Sequence, residues 1–424
     1  MEMVGSRLLK NAGWFAAATA LLLLASPVSA ARPGAKKKAC PDVISSLGAG
    51  WEAIQVPEFP THPNVDEPGF VPREWQRIGV IEVDHWNDKR IFVSNGATVL
   101  RTTDGGCTWA EVFDTYTDSP QEDVDEPPQV TSIHVTNHGP DGGDRVYLTF
   151  SGPSQHPVVV SNDGGDSWSS PAGTGLPPVR TGDVILEPTL VSPGVLYYYW
   201  SANWHGSGAF NVSDDGGESW EQRSAPDSDP AVVTQTPYGP LDLLNGSAML
   251  RGFVPDPGDG DTVWGYDRRH ILGTTDGGVS WDRLTPAETV TGIHAVTKNG
   301  TVTVGAAVRS EKQLWLSRDG WKTWDRIPYP EGAGDGSSQE FRFGRSDKQL
   351  FYIEFLEDRL TPFRWNRQTG TWSDMAPPIP FEGASAALEL DVSQFVRRPS
   401  IHLAYRRAGS DDRSRIIYRY RGSW

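Results

Sequence analysis

The 424-residue chain has only two cysteines and four methionines, and its charge is short on the positive side. Two thiols fall below the three or four ligands that a metal centre takes, so in an exported chain they read as a disulfide. The nine histidines do not supply a zinc site. Only His134 and His138 have HxxxH spacing, which brings two rings together on a helix, and they sit at the end of a strand-like run. Lys and Arg number 38 against 54 Asp and Glu, a net charge of −16 that argues against a nucleic-acid binder held by phosphate contacts. No segment has the roughly 20 apolar residues of a bilayer span. What abounds is 45 Gly, 33 Pro and 17 Trp. The first two exclude long helices and coiled coils, and the tryptophans exclude a wholly disordered chain.

Residues 1–30 read as a signal peptide. Arg7 and Lys10 precede the apolar stretch from Trp14 to Ala25, and Val28-Ser29-Ala30 gives the small-x-small cleavage pattern. Cleavage after Ala30 and a secreted, extracellular location are expected. No cysteine follows the apolar run closely, which argues against a lipid anchor. The expected organisation is then a linker over 31–49 and one domain over 50–424. Cys40 and Cys107 both survive cleavage and are expected to pair. N-x-S/T sequons occur at Asn211, Asn245 and Asn299.

One short pattern recurs. It reads Thr102-Thr-Asp104-Gly-Gly106-Cys-Thr108-Trp109, and returns at 161–168, 213–220 and 274–281 with Asp163, Asp215 and Asp276 in place. A fifth copy, Ser317 to Trp324, has Trp321 where the others have the second glycine, and a degenerate sixth keeps Thr371-Trp372 after Gly370. Strand-like runs flank each copy, so each is a hairpin turn. The Asp carboxylate accepts hydrogen bonds within its own turn, the glycines supply positive φ, and the Trp packs back as an apolar plug. The Asp residues are therefore structural. The pattern resembles the Asp-box (BNR) repeats of sialidase-like and xyloglucanase-type β-propellers, and spans nearly the whole mature chain. That resemblance implies an all-β fold of four-stranded antiparallel blades joined by Asp-box hairpins.

The tryptophans count the blades. Trp51, Trp109, Trp168, Trp220, Trp281, Trp324 and Trp372 each begin an outer strand, and the mean interval of about 53 residues suits one blade. Arg415–Tyr420 lacks a fourth strand after it, and Gly50–Val56 is a fourth-type strand with no blade before it. Joining them gives seven blades, the N-terminal strand completing the last and removing two open sheet edges.

Chemistry is expected on the face that carries the loops between outer and next inner strands and between second and third strands. The acidic loop 114–128 reads as solvated, with divalent-cation binding as the alternative. Trp204 and His205 follow the aromatic strand Tyr197–Trp200 in a loop, where an exposed ring could stack on a sugar. Arg268, Arg309, Arg359 and Arg406 follow the second strand in blades four to seven. The sialidase resemblance implies arginines gathered around a substrate carboxylate, so these four are the candidate ligand-binding residues. Each also has a nearby carboxylate as a possible partner, such as Asp267, Glu311 or Asp358. The first blade has no Arg-Ile-Pro signature. Tyr352 and Glu354, two apart in one strand, are the candidates for a catalytic pair, against a structural role in packing. Two classes of function follow: an exported binder of a glycan, plausibly acidic, or of an extracellular protein; and a glycoside hydrolase of the sialidase-like or xyloglucanase type. No cofactor, metal or membrane span is expected, and a monomer is.

Overall fold

The computed structural model describes residues 40, 43–48, 50–60, 77–118, 128–137, 144–151, 157–170, 175–176, 183–189, 194–202, 207–223, 250–267, 270–287, 289–333, 339–356, 359–375, 379–380, 388–396, 398, 400–405 and 415–422. Their strands form seven antiparallel sheets in chain order. The inner strands are Val80–Val83, Gln129–Thr136, Asp183–Pro188, Gly252–Asp256, Val290–Lys298, Gln339–Phe343 and Leu388–Val392. Each packs on the next and the seventh on the first, which closes a ring. The chain is a seven-bladed β-propeller.

Closure runs through blade 7. Trp51–Gln55 pairs with Ile416–Tyr420, Trp51 opposite Tyr420 and Gln55 opposite Ile416. The segment expected to be a linker also contributes, because Val43–Gly48 pairs with Trp51–Gln55 as a fifth strand. Blade 2 departs the other way. Among the described residues, its outer strand after Trp168 shows one bridge, Ser169 with Val160.

Seven apolar cores fill the seams between blades, and the repeated Trp of each blade packs backward into the seam with the blade before it. Trp109 joins the core of Ile54, Ala404 and Ile417 from blade 7; Trp168 joins that of Phe92 and Phe113; Trp372 joins that of Leu314 and Ile327. In three blades the indole N–H repeats one contact. It donates to a carbonyl at the outer edge of the preceding blade: Trp51 to Met375 at 2.8 Å, Trp168 to Val112 at 2.5 Å and Trp372 to Pro328 at 2.7 Å.

The turns follow one plan. In the second copy, Asp163 accepts from Ser161 Oγ at 2.7 Å, Ser167 N at 2.8 Å and Ser167 Oγ at 2.6 Å, while Ser161 Oγ accepts from Gly165 N at 2.7 Å. Desolvation works against ionisation, but the bonds from Ser167 and Ser161 prevail and hold the Asp163 carboxyl at about 2. Asp163→Ala is expected to cost about 1–2 kcal/mol, read from the denaturant midpoint, because it strands those donors. The second glycine matters for close approach: a Cβ on Gly106, at φ +95°, would sit 2.3 Å from Ile54 Cγ2 of blade 7. In the fifth copy Trp321 takes that place at φ 66° and is buried in the seam with blade 4.

A side chain from the preceding blade holds the first-glycine carbonyl of several turns. Arg419 Nη1 reaches Gly105 O at 3.0 Å, Arg101 Nη1 reaches Gly164 O at 2.6 Å, and Arg145 Nη1 reaches Gly216 O at 3.1 Å. The only two cysteines bridge the same rim: Cys40 and Cys107 are joined, with Cα atoms 4.9 Å apart. Cys107 lies in the turn of blade 1, so the bridge ties the start of the closing strands to the neighbouring blade. The sequence separation is 67. By chain entropy, reduction is expected to lower stability by about 4 kcal/mol at most. The check is a melting curve with and without reductant, against Cys107→Ser.

Candidate functional site

Each inner strand carries one residue between two apolar ones at the same level of the ring: Glu82, His134, Glu187, Val254, His294, Arg342 and Asp391. The flanking residues turn into the seams, as Ile81, Val83, Ile133, Val135, Leu390 and Val392 do. Strand alternation therefore sends the middle one to the axis. The seven line an axial cavity of about 180 Å³, with His85 and Gln394 nearer the turn side. Toward the loop face it continues into a depression of about 310 Å³, where Arg251, Thr291 and Glu340 join Glu187, His294 and Arg342.

Neighbouring blades hold this ring in place. Asp391 Oδ2 accepts from Val83 N at 2.5 Å, and Glu82 Oε1 accepts from Val135 N at 2.9 Å. In each case the axial carboxylate meets the backbone N–H just after the next blade's axial residue. Blades 3 and 4 break the rule, because Pro188 and Pro255 occupy that place and have no N–H. His134 contacts Ser132 Oγ at 3.1 Å instead, while Glu187 receives no hydrogen bond from a described residue. Arg342 lies 2.5 Å from His294 Nε2 and 3.4 Å from Glu340. Arg342 can only donate, so His294 Nε2 accepts and its proton sits on Nδ1.

Burial sets the protonation of the ring. It pushes Glu187 up to about 8, with the Arg342 charge opposing. It raises Glu82 well above its usual range, and the Asp391 charge adds to this while the Val135 N–H resists. It lowers His134 to about 4, helped by His85, and takes His294 well below 6.5, helped by Arg342. Protonated carboxyls and neutral imidazoles are what a low-dielectric channel favours.

The sequence-derived candidates distribute differently. Tyr352 and Glu354 are both fully buried at the seam of blades 5 and 6, where the Tyr352 ring lies 4.8 Å from that of Tyr329. Neither side chain reaches open solvent. Arg309 is exposed in a short 3-10 turn on the loop face, and its charge acts on Tyr329 and Tyr352. Arg359 opens the strand Arg359–Asn366, its side chain outside the described residues. Arg268, Arg406, Trp204 and His205 also lie outside them, as does loop 119–127. Of the carboxylates expected beside the arginines, Asp267 bonds His270 and Glu311 lies 3.4 Å from Arg326. Asn211 of the first sequon is fully buried in its strand, so it is closed to glycosylation, whereas Asn299 is exposed in a hairpin turn.

A larger groove of about 480 Å³ lies between blades 4 and 5 on the turn side, above Trp264 and Val302. Its polar groups already have structural roles: Arg318 pairs with Asp325 and Asp347, and Asp319 builds its turn. The axial channel is therefore the better candidate. No helix among the described residues is long and apolar enough to cross a membrane.

The fold is shared with solved propellers. YCF48 from Cyanidioschyzon merolae is similar at TM-score 0.51 and 16% identity, covering 87% of this chain and 98% of that one. The Cps50 (Swd1) β-propeller domain of Myceliophteria thermophila is similar at TM-score 0.50 and 10% identity, covering 82% and 97%. An ancestral GH74 enzyme is similar at TM-score 0.45 and 15% identity over 81% of this chain and 48% of its own. No protein-family model matches the sequence, and no curated protein matches it. At these identities the likeness is one of fold.

Proposed function

We propose that the protein is an exported Asp-box propeller that binds a glycan or an extracellular protein at its loop face and performs no catalysis. One observation carries this reading: polar side chains from several blades converge at the axial mouth, whereas the Tyr352–Glu354 pair is sealed in a blade seam. A concave site with a few oriented polar groups on a rigid ring is suited to recognition. A glycosidase needs two accessible carboxyl groups across one bond, which a buried Glu354 does not supply. The signal-like N-terminus and the disulfide both suit export.

The ligand is expected to be acidic, met by Arg309 and Arg359 on that face. A glycan array should return acidic glycans, and a panel of fluorogenic glycosides should show no turnover. Arg309→Ala combined with Arg359→Ala should abolish array binding at an unchanged melting temperature. Turnover of any glycoside would instead establish the hydrolase.

A further inference from the structure

We propose that the axial channel is a binding site for a small organic cation, an alkylammonium or guanidinium group, seated by Glu82, Glu187 and Asp391. This goes beyond the loop-face reading and stands whichever glycan or protein that face takes.

The first ground is the balance of donors and acceptors around the cavity. Three carboxyl groups reach it from blades 1, 3 and 7, and neutral His134 adds a further acceptor. Two of the nitrogen donors are already engaged. Arg342 is directed at His294, Phe341 O and Glu340, and His85 Nδ1 lies 3.2 Å from Val392 O. With Glu340 offsetting Arg342, and Arg251 standing further out in the loop-face depression, the rest of the ring is rich in acceptors and becomes negative as its carboxyls ionise. An ammonium or guanidinium group supplies both missing quantities, positive charge and several N–H donors.

The second ground is Glu187. Its counterparts Glu82 and Asp391 each hold a backbone N–H of the next blade, but Pro255 denies Glu187 that partner. Its carboxyl is directed at the cavity and also lines the loop-face depression, so it stands where a ligand would enter. The volume suits a group of several atoms, being several times the ~30 Å³ of one water molecule. A bare metal ion does not fit: among the described residues, no three His, Cys, Asp or Glu side chains are placed to hold one. An anion would meet the three carboxyls.

Proton linkage gives the site a signature. The groups facing the cation are Glu82, Glu187 and Asp391, with His85, His134, Arg251, His294, Glu340 and Arg342 around them. A cation beside Glu187 favours its ionised form, so uptake below about pH 8 must expel that proton. Affinity should fall about tenfold per pH unit for each proton released.

Titration calorimetry with n-butylguanidinium and n-butylammonium tests this, with n-butyramide and butyrate as neutral and anionic controls. Saturable 1:1 binding of a cation is expected at pH 8.5, weaker at pH 6.5 and accompanied there by proton release, measured in buffers of different ionisation heat. Glu187→Gln should weaken it about tenfold or more at an unchanged fold. If that variant does not fold, proton release by the unaltered protein decides. A peptide with one arginine that binds more tightly than butylguanidinium assigns the cation to a partner's side chain, and the reverse order assigns it to a free guanidine or amine. No saturable binding of either cation, a preference for butyrate, or binding at pH 6.5 without proton release would overturn the proposal.

Discussion

Deleting residues 43–56 is expected to abolish cooperative thermal unfolding. The segment supplies two strands of blade 7, and without it Ile416–Tyr420 becomes an open edge beside blade 1. It also supplies Trp51, which is 1% exposed, lies 5.1 Å from the Tyr420 ring and donates to Met375 O in blade 6. Ile54, fully buried against blade 1, is lost with it, so both seams of blade 7 open together. Opening one seam of a closed ring removes the support that each blade takes from two neighbours. Trp51→Ala isolates the smaller part of the effect and should cost about 3–5 kcal/mol, since a buried indole leaves a cavity. Calorimetry of both variants checks the idea, and a deletion variant that melts like the full chain would refute closure by this strand.

The ring and its closure were legible because they rest on local chemistry that repeats. Each of five turns has an Asp to gather its own N–H groups, a positive-φ residue after it and a Trp to cover the seam, so one motif marks five of the seven blades. Two half-blades at the termini then have a single way to remove their exposed edges. Val43–Gly48 was not legible as a strand, because a short edge strand has no motif of its own and is defined by the partner it meets. The channel was missed for a different reason. Its members come from seven blades, and each looks like an isolated polar residue inside an apolar run: Ile81-Glu82-Val83, Ile133-His134-Val135, Leu390-Asp391-Val392. Aligning the inner strands by their distance from the repeated turn would have stacked them. His134 was weighed only for its spacing from His138, whereas its neighbours at the axis come from other blades. For Tyr352 and Glu354, sharing a strand face says nothing about whether that face is open, and both side chains are buried.

Between pH 6.5 and 8 the protein is expected to lose stability as pH rises, and Glu187→Gln should flatten that decline. Glu187 is raised from 4.5 to about 8 in the fold, so over that interval the native state holds a proton that the unfolded chain has released. Its contribution is complete below about pH 4.5 and is lost as pH climbs toward 8, at about 1.4 kcal/mol per pH unit for each such group. Glu82 and Glu340 are raised too and act in the same direction. The channel imidazoles act oppositely. His134 falls from 6.5 to about 4, so its contribution is complete above 6.5 and is lost as pH falls toward 4, and His294 follows it. Between about 4.5 and 6.5 the two sets offset one another, because unfolding releases protons from carboxyls while imidazoles take them up. Above 6.5 only the carboxyl contribution still changes with pH. Below about 4.5 only the imidazole contribution still changes, until the turn carboxyls, Asp163 at about 2 among them, add a further loss. Denaturant midpoints from pH 4 to 8.5 read this shape directly. The Gln variant should be the more stable protein at pH 8 and should converge with the unaltered chain near pH 4.5. Curves that stay parallel across the whole range would show that Glu187 titrates in the fold as it does in water.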